Sequence, residues 1–180
     1  MKRLQRSALL AELAERLTKN ESWCGETNVQ KTTYFLQELL GVPTAYNFIF
    51  YKFGPFSFDL RDELAAMEAD ELITLRVRHP GYGPSIVPTE QSKALRELYP
   101  VTLKKYETKL DFVSRTFGSK GVTELERLST ALYVTRELGE QADVSQRAKR
   151  ICELKPHVSL SDAFEAVREF DTIEQKAREL

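Results

Sequence analysis

The sequence predicts a mostly helical α+β fold, and three observations carry that reading. Apolar residues recur at helical spacing along most of the chain, as in Tyr106, Leu110, Val113 and Phe117. The period shortens to two only at Leu72–Pro88, and an aromatic and β-branched run occupies 46–53. Two clusters of turn formers, Gly54-Pro55 and His79-Pro-Gly-Tyr-Gly-Pro84, punctuate these non-helical stretches.

With 180 residues, 42% hydrophobic and 29% charged, the chain has the composition of a folded domain and fits neither the disordered nor the membrane class. We expect a single compact unit over 1–180. A formal charge of −1 supplies no global attraction to nucleic acid or to an acidic membrane. Cys24 and Cys152 are far apart and lack metal-type spacing, which reads as reduced thiols. The basic start Met1-Lys-Arg-Leu-Gln-Arg is followed by Glu12, Glu15 and Arg16, which interrupt the apolar run that export would need. A cytoplasmic location without membrane contact is expected.

Taken in order, residues 2–18 form an amphipathic helix with Leu4, Leu10, Leu13 and Leu17 inward. Trp23, in the polar turn that follows, reads as a lid over a neighbouring groove. Thr27 and Gln30 resemble a capping box, and a second helix runs to Leu40 with Gly41 and Pro43 as its stop. Lys31 and Gln37 lie away from the centre of its apolar face and read as solvated. The run 46–53 reads as a strand covered on both faces, ended by Gly54-Pro55, a strand-to-helix corner. Ser57 then caps a helix carrying Leu60, Leu64 and Met67.

Ile73, Leu75 and Val77 alternate with Thr74, Arg76 and Arg78 in a half-buried strand with a basic edge. After the turn at 79–84, residues 85–88 return as a short strand, and Thr89 caps a helix to about Leu98. This order of helices and strands is that of a winged-helix-like core over 20–100, with a small three-stranded antiparallel sheet and the turn as its wing. A helical extension occupies 101–180. Its segments are a helix ending at Gly118, a second starting with Thr123 and Glu126 as a capping box, a short one at 144–154, and a last one from Ser159 or Ser161 with Ala163, Val167 and Phe170 inward.

Catalytic templates fail one by one: there is no HExxH, CxxC, Walker loop or G-x-S-x-G. Gly81-Tyr-Gly83 leads from strand to strand and is a turn, not a dinucleotide loop. His79 and His157 each sit beside a proline in a turn. Glu68, Asp70 and Glu71 read as a solvated helix end, so no metal or cofactor is expected. A non-enzymatic binding role is what remains. Arg76, Arg78 and His79 supply a basic wing for DNA. The helix that should enter the groove nevertheless carries Asp59, Asp62, Glu63, Glu68, Asp70 and Glu71 against Arg61 alone, which phosphates would repel. An alternative basic patch would be Arg147, Lys149, Arg150 and Lys155. A protein partner fits the acidic helix better, through Tyr51, Lys52, Phe56, Asp59, Asp62 and Glu63.

Three stretches, Lys31-Thr-Thr-Tyr-Phe-Leu-Gln37, Tyr51-Lys-Phe-Gly-Pro-Phe-Ser57 and Val87-Pro-Thr-Glu-Gln-Ser-Lys93, together resemble the Panacea antitoxin domain and YwgA-type proteins. Those families share a K-x-x-Y-x-x-Q helix, a Y-x-x-G-P-[FY]-S corner and a T-E-x-G-like helix start, where Ser92 here replaces the glycine. The similarity covers about 28–98. It implies an antitoxin or phage-defence component that neutralises a toxin, encoded by an adjacent gene, through direct contact. Winged-helix DNA binding is the alternative.

Overall fold

The computed structural model describes residues 1–139 and 141–180. These residues form α1 (Arg3–Lys19), α2 (Glu26–Tyr34), β1 (Ile49–Tyr51), β2 (Gly54–Phe56), α3 (Phe58–Ala69), β3 (Ile73–Arg76), β4 (Ser85–Pro88), α4 (Glu90–Leu98), α5 (Pro100–Phe117), α6 (Val122–Leu138), α7 (Val144–Leu154) and α8 (Leu160–Arg178). The result is a mostly helical α+β fold with two small antiparallel hairpins. One apolar core runs from Ala8 of α1 to Ile173 of α8. Helix α1 lies against α4, α5 and β4, while α6 meets α2, α7, α8 and β2.

The apolar spacings translate into burial in most places, although Leu4 of α1, expected inward, is exposed. Tyr106, Leu110, Val113 and Phe117 all face inward from α5, as do Ala163, Val167 and Phe170 from α8. Helix α2 ends in a wide π turn over Phe35–Leu39, from which Phe35 stacks on Phe117 with centroids 3.9 Å apart. All residues from Asn28 to Leu36 are buried, so this segment is enclosed all round and not on one face.

Three expectations need correction. The expected three-stranded sheet is replaced, among the described residues, by two separate two-stranded sheets, β1–β2 and β3–β4. The first hairpin lies on α2 and α6 and the second on α1 and α3, so different helices claim them. Second, Gly54-Pro55 does not end a strand. The chain reverses at Lys52-Phe53, and Gly54–Phe56 returns as β2, pairing Tyr51 with Gly54 and Ile49 with Phe56. Proline is tolerated because each strand of a two-stranded ribbon is an edge. Gly54 has φ +86°, which a side chain would resist. Third, the caps fall elsewhere. The backbone N–H of Gly25 donates to Asn28 Oδ1 at 3.2 Å, and that of Gly121 to Glu124 Oε2 at 3.0 Å. Gln30 and Glu126, expected in capping boxes, are thereby released to interior contacts. Ser57 and Thr89 do cap α3 and α4, accepting from Leu60 N and Ser92 N.

Lys31 and Gln37, both expected to be solvated, are not: Lys31 is buried, and Gln37 is committed to the loop before β1. The Oε1 of Gln37 accepts from Tyr46 N at 2.9 Å and Thr44 Oγ1 at 2.6 Å, and its Nε2 donates to Tyr46 O at 3.0 Å. One amide thus fixes the approach to β1. Gln37→Ala is expected to lower the free energy of unfolding by about 1.5 kcal/mol, measured in urea, because the loop's polar groups lose their partner.

Candidate partner-binding surface

The β1–β2 hairpin is held from α2 by side chains that grip its backbone. Lys31, only 2% exposed, donates from Nζ to the carbonyl of Pro55 at 2.7 Å. Gln30 reads both sides of Ser57, donating to its carbonyl at 2.9 Å and accepting from its N–H at 3.0 Å. Tyr34 packs edge-on against Phe48 at 5.0 Å. Burial pushes the Lys31 ammonium down to about 7, against a smaller opposing pull from Glu126. Glu126 in turn pairs with Lys155 at 3.4 Å, a lysine that is itself buried and also shifted downward by desolvation. An amine poised near neutrality could serve as a base, but this one is enclosed and committed to a carbonyl. Its role is structural.

The segment leading into the hairpin is read in alternation. Val42, Thr44 and Tyr46 are buried and Phe48 and Phe50 half-buried, while the odd-numbered residues 41–49 are exposed. The strand is therefore covered on one face only, and the expectation of two covered faces fails. Its open face carries Ile49, Tyr51 at 44% exposure and Phe53 at 63%. Tyr51, half-buried Phe56 and Phe58 touch one another, with ring centroids 5.1–5.9 Å apart. Arg61 lies over the Phe58 ring at 5.0 Å. Lys52, Asp59 and Asp62 are exposed beside this aromatic cluster. Five of the six residues expected to meet a partner, namely Tyr51, Lys52, Phe56, Asp59 and Asp62, thus share one surface.

Glu63 does not join them. It is 8% exposed and turns inward, accepting from Ser7 Oγ at 2.7 Å with Arg3 Nε at 3.4 Å. Asp70, at the end of the same helix, is tied to Arg3 at 2.7 Å. Sequence reasoning missed Ile49, Phe53 and Phe58 as surface residues. Phe53 could have been found as the second residue of a two-residue hairpin turn.

The residues expected to form a wing lie elsewhere: Arg76 ends β3, paired with Ser85, and Arg78 and His79 follow in the loop between β3 and β4. Arg76, Arg78 and His79 are exposed. The guanidinium of Arg78 sits over Trp23 at 5.8 Å, and His79 accepts from Gly81 N at 3.1 Å and packs against Tyr82. Trp23 donates to Gly83 O at 2.8 Å and so pins the loop to the entrance of α2. It also forms one wall of an apolar groove of about 400 Å³ between α3 and the β3–β4 hairpin, which suits the expected lid. Leu75 and Val77 are exposed, so the expected half-buried strand buries only Ile73 of its apolar residues. The alternative basic patch is largely neutralised: Arg147 forms a two-pronged pair with Asp171 at 2.6 and 2.8 Å, Arg150 grips Glu137 at 2.9 Å, and Lys155 is buried.

Among the described residues, no group of three or more His, Cys, Asp or Glu side chains is placed to hold a metal ion. No helix among them is long and apolar enough to cross a membrane. Cys24 is buried, and that burial pushes its thiol up to about 12. No protein-family model and no curated protein matches this chain.

Proposed function

We propose that this chain is a non-enzymatic, cytoplasmic protein-interaction domain of the antitoxin or phage-defence kind, which neutralises or regulates a partner protein by direct binding. The observation that carries the reading is the open face of the β1–β2 hairpin. Ile49, Tyr51, Phe53 and Phe58 are exposed together, on a backbone fixed from beneath, and Asp59 and Asp62 lie at their edge. Rigid aromatic residues with a charged rim make contact area at low entropic cost. The helix–hairpin unit around α3 and β3–β4 is read as winged-helix-like, in keeping with the resemblance to Panacea-type antitoxins. In a DNA-binding version α3 would face phosphate, yet its exposed residues include Asp59, Asp62 and Glu68.

The test is co-expression with the product of the adjacent gene. That product should be toxic alone and retained by this protein. A Tyr51→Ala, Phe53→Ala double variant should lose retention at least thirtyfold, about 2 kcal/mol, while melting at an unchanged temperature. If the neighbour is harmless and is not retained, the antitoxin reading is abandoned. A salt-sensitive gel shift with the chain's own promoter would favour the DNA alternative.

A further inference from the structure

We infer that the groove between α3 and the β3–β4 hairpin seats a basic amphipathic segment of the partner protein. The inference rests on the reading that this chain binds a protein, and it adds a second contact of defined chemistry. The groove is separate from the Tyr51 cluster but continuous with it through Arg61, which belongs to both.

Its walls are apolar: Trp23, Leu64, Ile73, Leu75, Tyr82 and Ile86. Leu75 and Tyr82 are exposed on its open side, at 44% and 68%. Such surface gains from being covered, and a concave apolar groove takes the stripe of an amphipathic segment. Charge selects the segment. Three charged side chains line the groove, Glu26, Glu68 and Arg61. Arg61 is engaged, stacked on Phe58 and 3.7 Å from Asp62 Oδ1. Among the described residues, neither Glu26 nor Glu68 has an ion-pair partner, and both are exposed. Arg78 lies over Trp23 but is not part of the wall. The rim therefore offers two free carboxylates around an apolar floor, complementary to leucine-like anchors flanked by lysine or arginine.

Trp23 is the chain's single tryptophan, so its emission reports on the groove. The probes are three synthetic peptides of about 18 residues with leucines at helical i, i+3, i+4 and i+7 spacing. Their polar faces are all lysine, all glutamine or all glutamate. Titrated into the full chain, the lysine peptide should shift Trp23 emission and bind about tenfold tighter than either other peptide. In the Glu26→Gln, Glu68→Gln double variant that preference should fall below about threefold. Ala65→Lys, an exposed substitution in the groove wall, should weaken the lysine peptide about tenfold without lowering the melting temperature. Equal binding of the glutamate peptide, or no emission change with any peptide, overturns the inference. A response to a small apolar dye alone also overturns it and marks a small-molecule site. If the peptides fail while capture of the adjacent gene's product still depends on Tyr51 and Phe53, only the groove assignment falls. If the lysine peptide binds but that product is not captured, the aromatic surface is what was misread.

Discussion

Lys31→Ala is expected to destabilise the protein by about 4 kcal/mol, seen as an early urea midpoint, because it removes a buried hydrogen-bond donor together with an enclosed side chain. The Pro55 carbonyl loses its donor at 2.7 Å, and the space of a long enclosed side chain is left unfilled. Lys31→Met keeps the volume and separates packing from charge. Its pH dependence is the sharper readout. With the folded amine near 7 and the unfolded one near 10.4, the unfolded chain holds a proton between those values that the folded chain has released. Stability must then rise with pH from about 7, by up to about 1.4 kcal/mol per unit. Lys155, also depressed, adds in the same sense. Cys24 opposes: its folded thiol is pushed up to about 12, so above about 8.5 the unfolded thiol ionises first and stability falls. Between pH 7 and about 8.5 the thiol does not yet contribute, and comparison with Lys31→Met separates Lys31 from Lys155. Wild type should gain up to about 2 kcal/mol across that range relative to Lys31→Met, and parallel pH profiles would remove Lys31 from the account.

Gly54→Val is expected to cost about 3 kcal/mol through two separate effects. At φ +86° a β-branched residue is strained by about 1–3 kcal/mol. A Cβ there would also lie 3.0 Å from Thr130 Oγ1, so the hairpin must lift from α6 or the threonine must move. Gly54→Val combined with Thr130→Ala removes the crowded oxygen and, measured against Thr130→Ala alone, should recover part of the loss in thermal unfolding. Equal losses in the single and double variants would show that backbone strain dominates.

Helix positions were legible because an apolar residue every three or four positions has one physical meaning. Tyr106, Leu110, Val113 and Phe117 illustrate it. The hairpin at 49–56 was less legible. Ile49, Tyr51 and Phe53 have the composition of a core strand, and composition states what a side chain prefers, not which way the backbone turns it. The buried polar residues were hidden for another reason. Lys31 finds its acceptor 24 positions away, Glu63 its donor 56 positions away, and Gln30 its two partners 27 positions away. No local spacing records such pairs. Asp59 and Asp62 are exposed, which is the default for a carboxylate near a helix start. The groove beside Trp23 required tertiary contacts among 23, 64, 73 and 86 that only the folded chain brings together.

The way α2 grips the hairpin has a consequence for how such a protein can change. Lys31, Gln30 and Gln37 hold main-chain amides and carbonyls of Pro55, Ser57 and Tyr46, groups that every sequence possesses. Positions 49, 51 and 53 carry their side chains on the opposite, open face, so mutation there leaves those anchoring hydrogen bonds intact. A lineage can rewrite these three residues to match a new target while inheriting the scaffold unaltered.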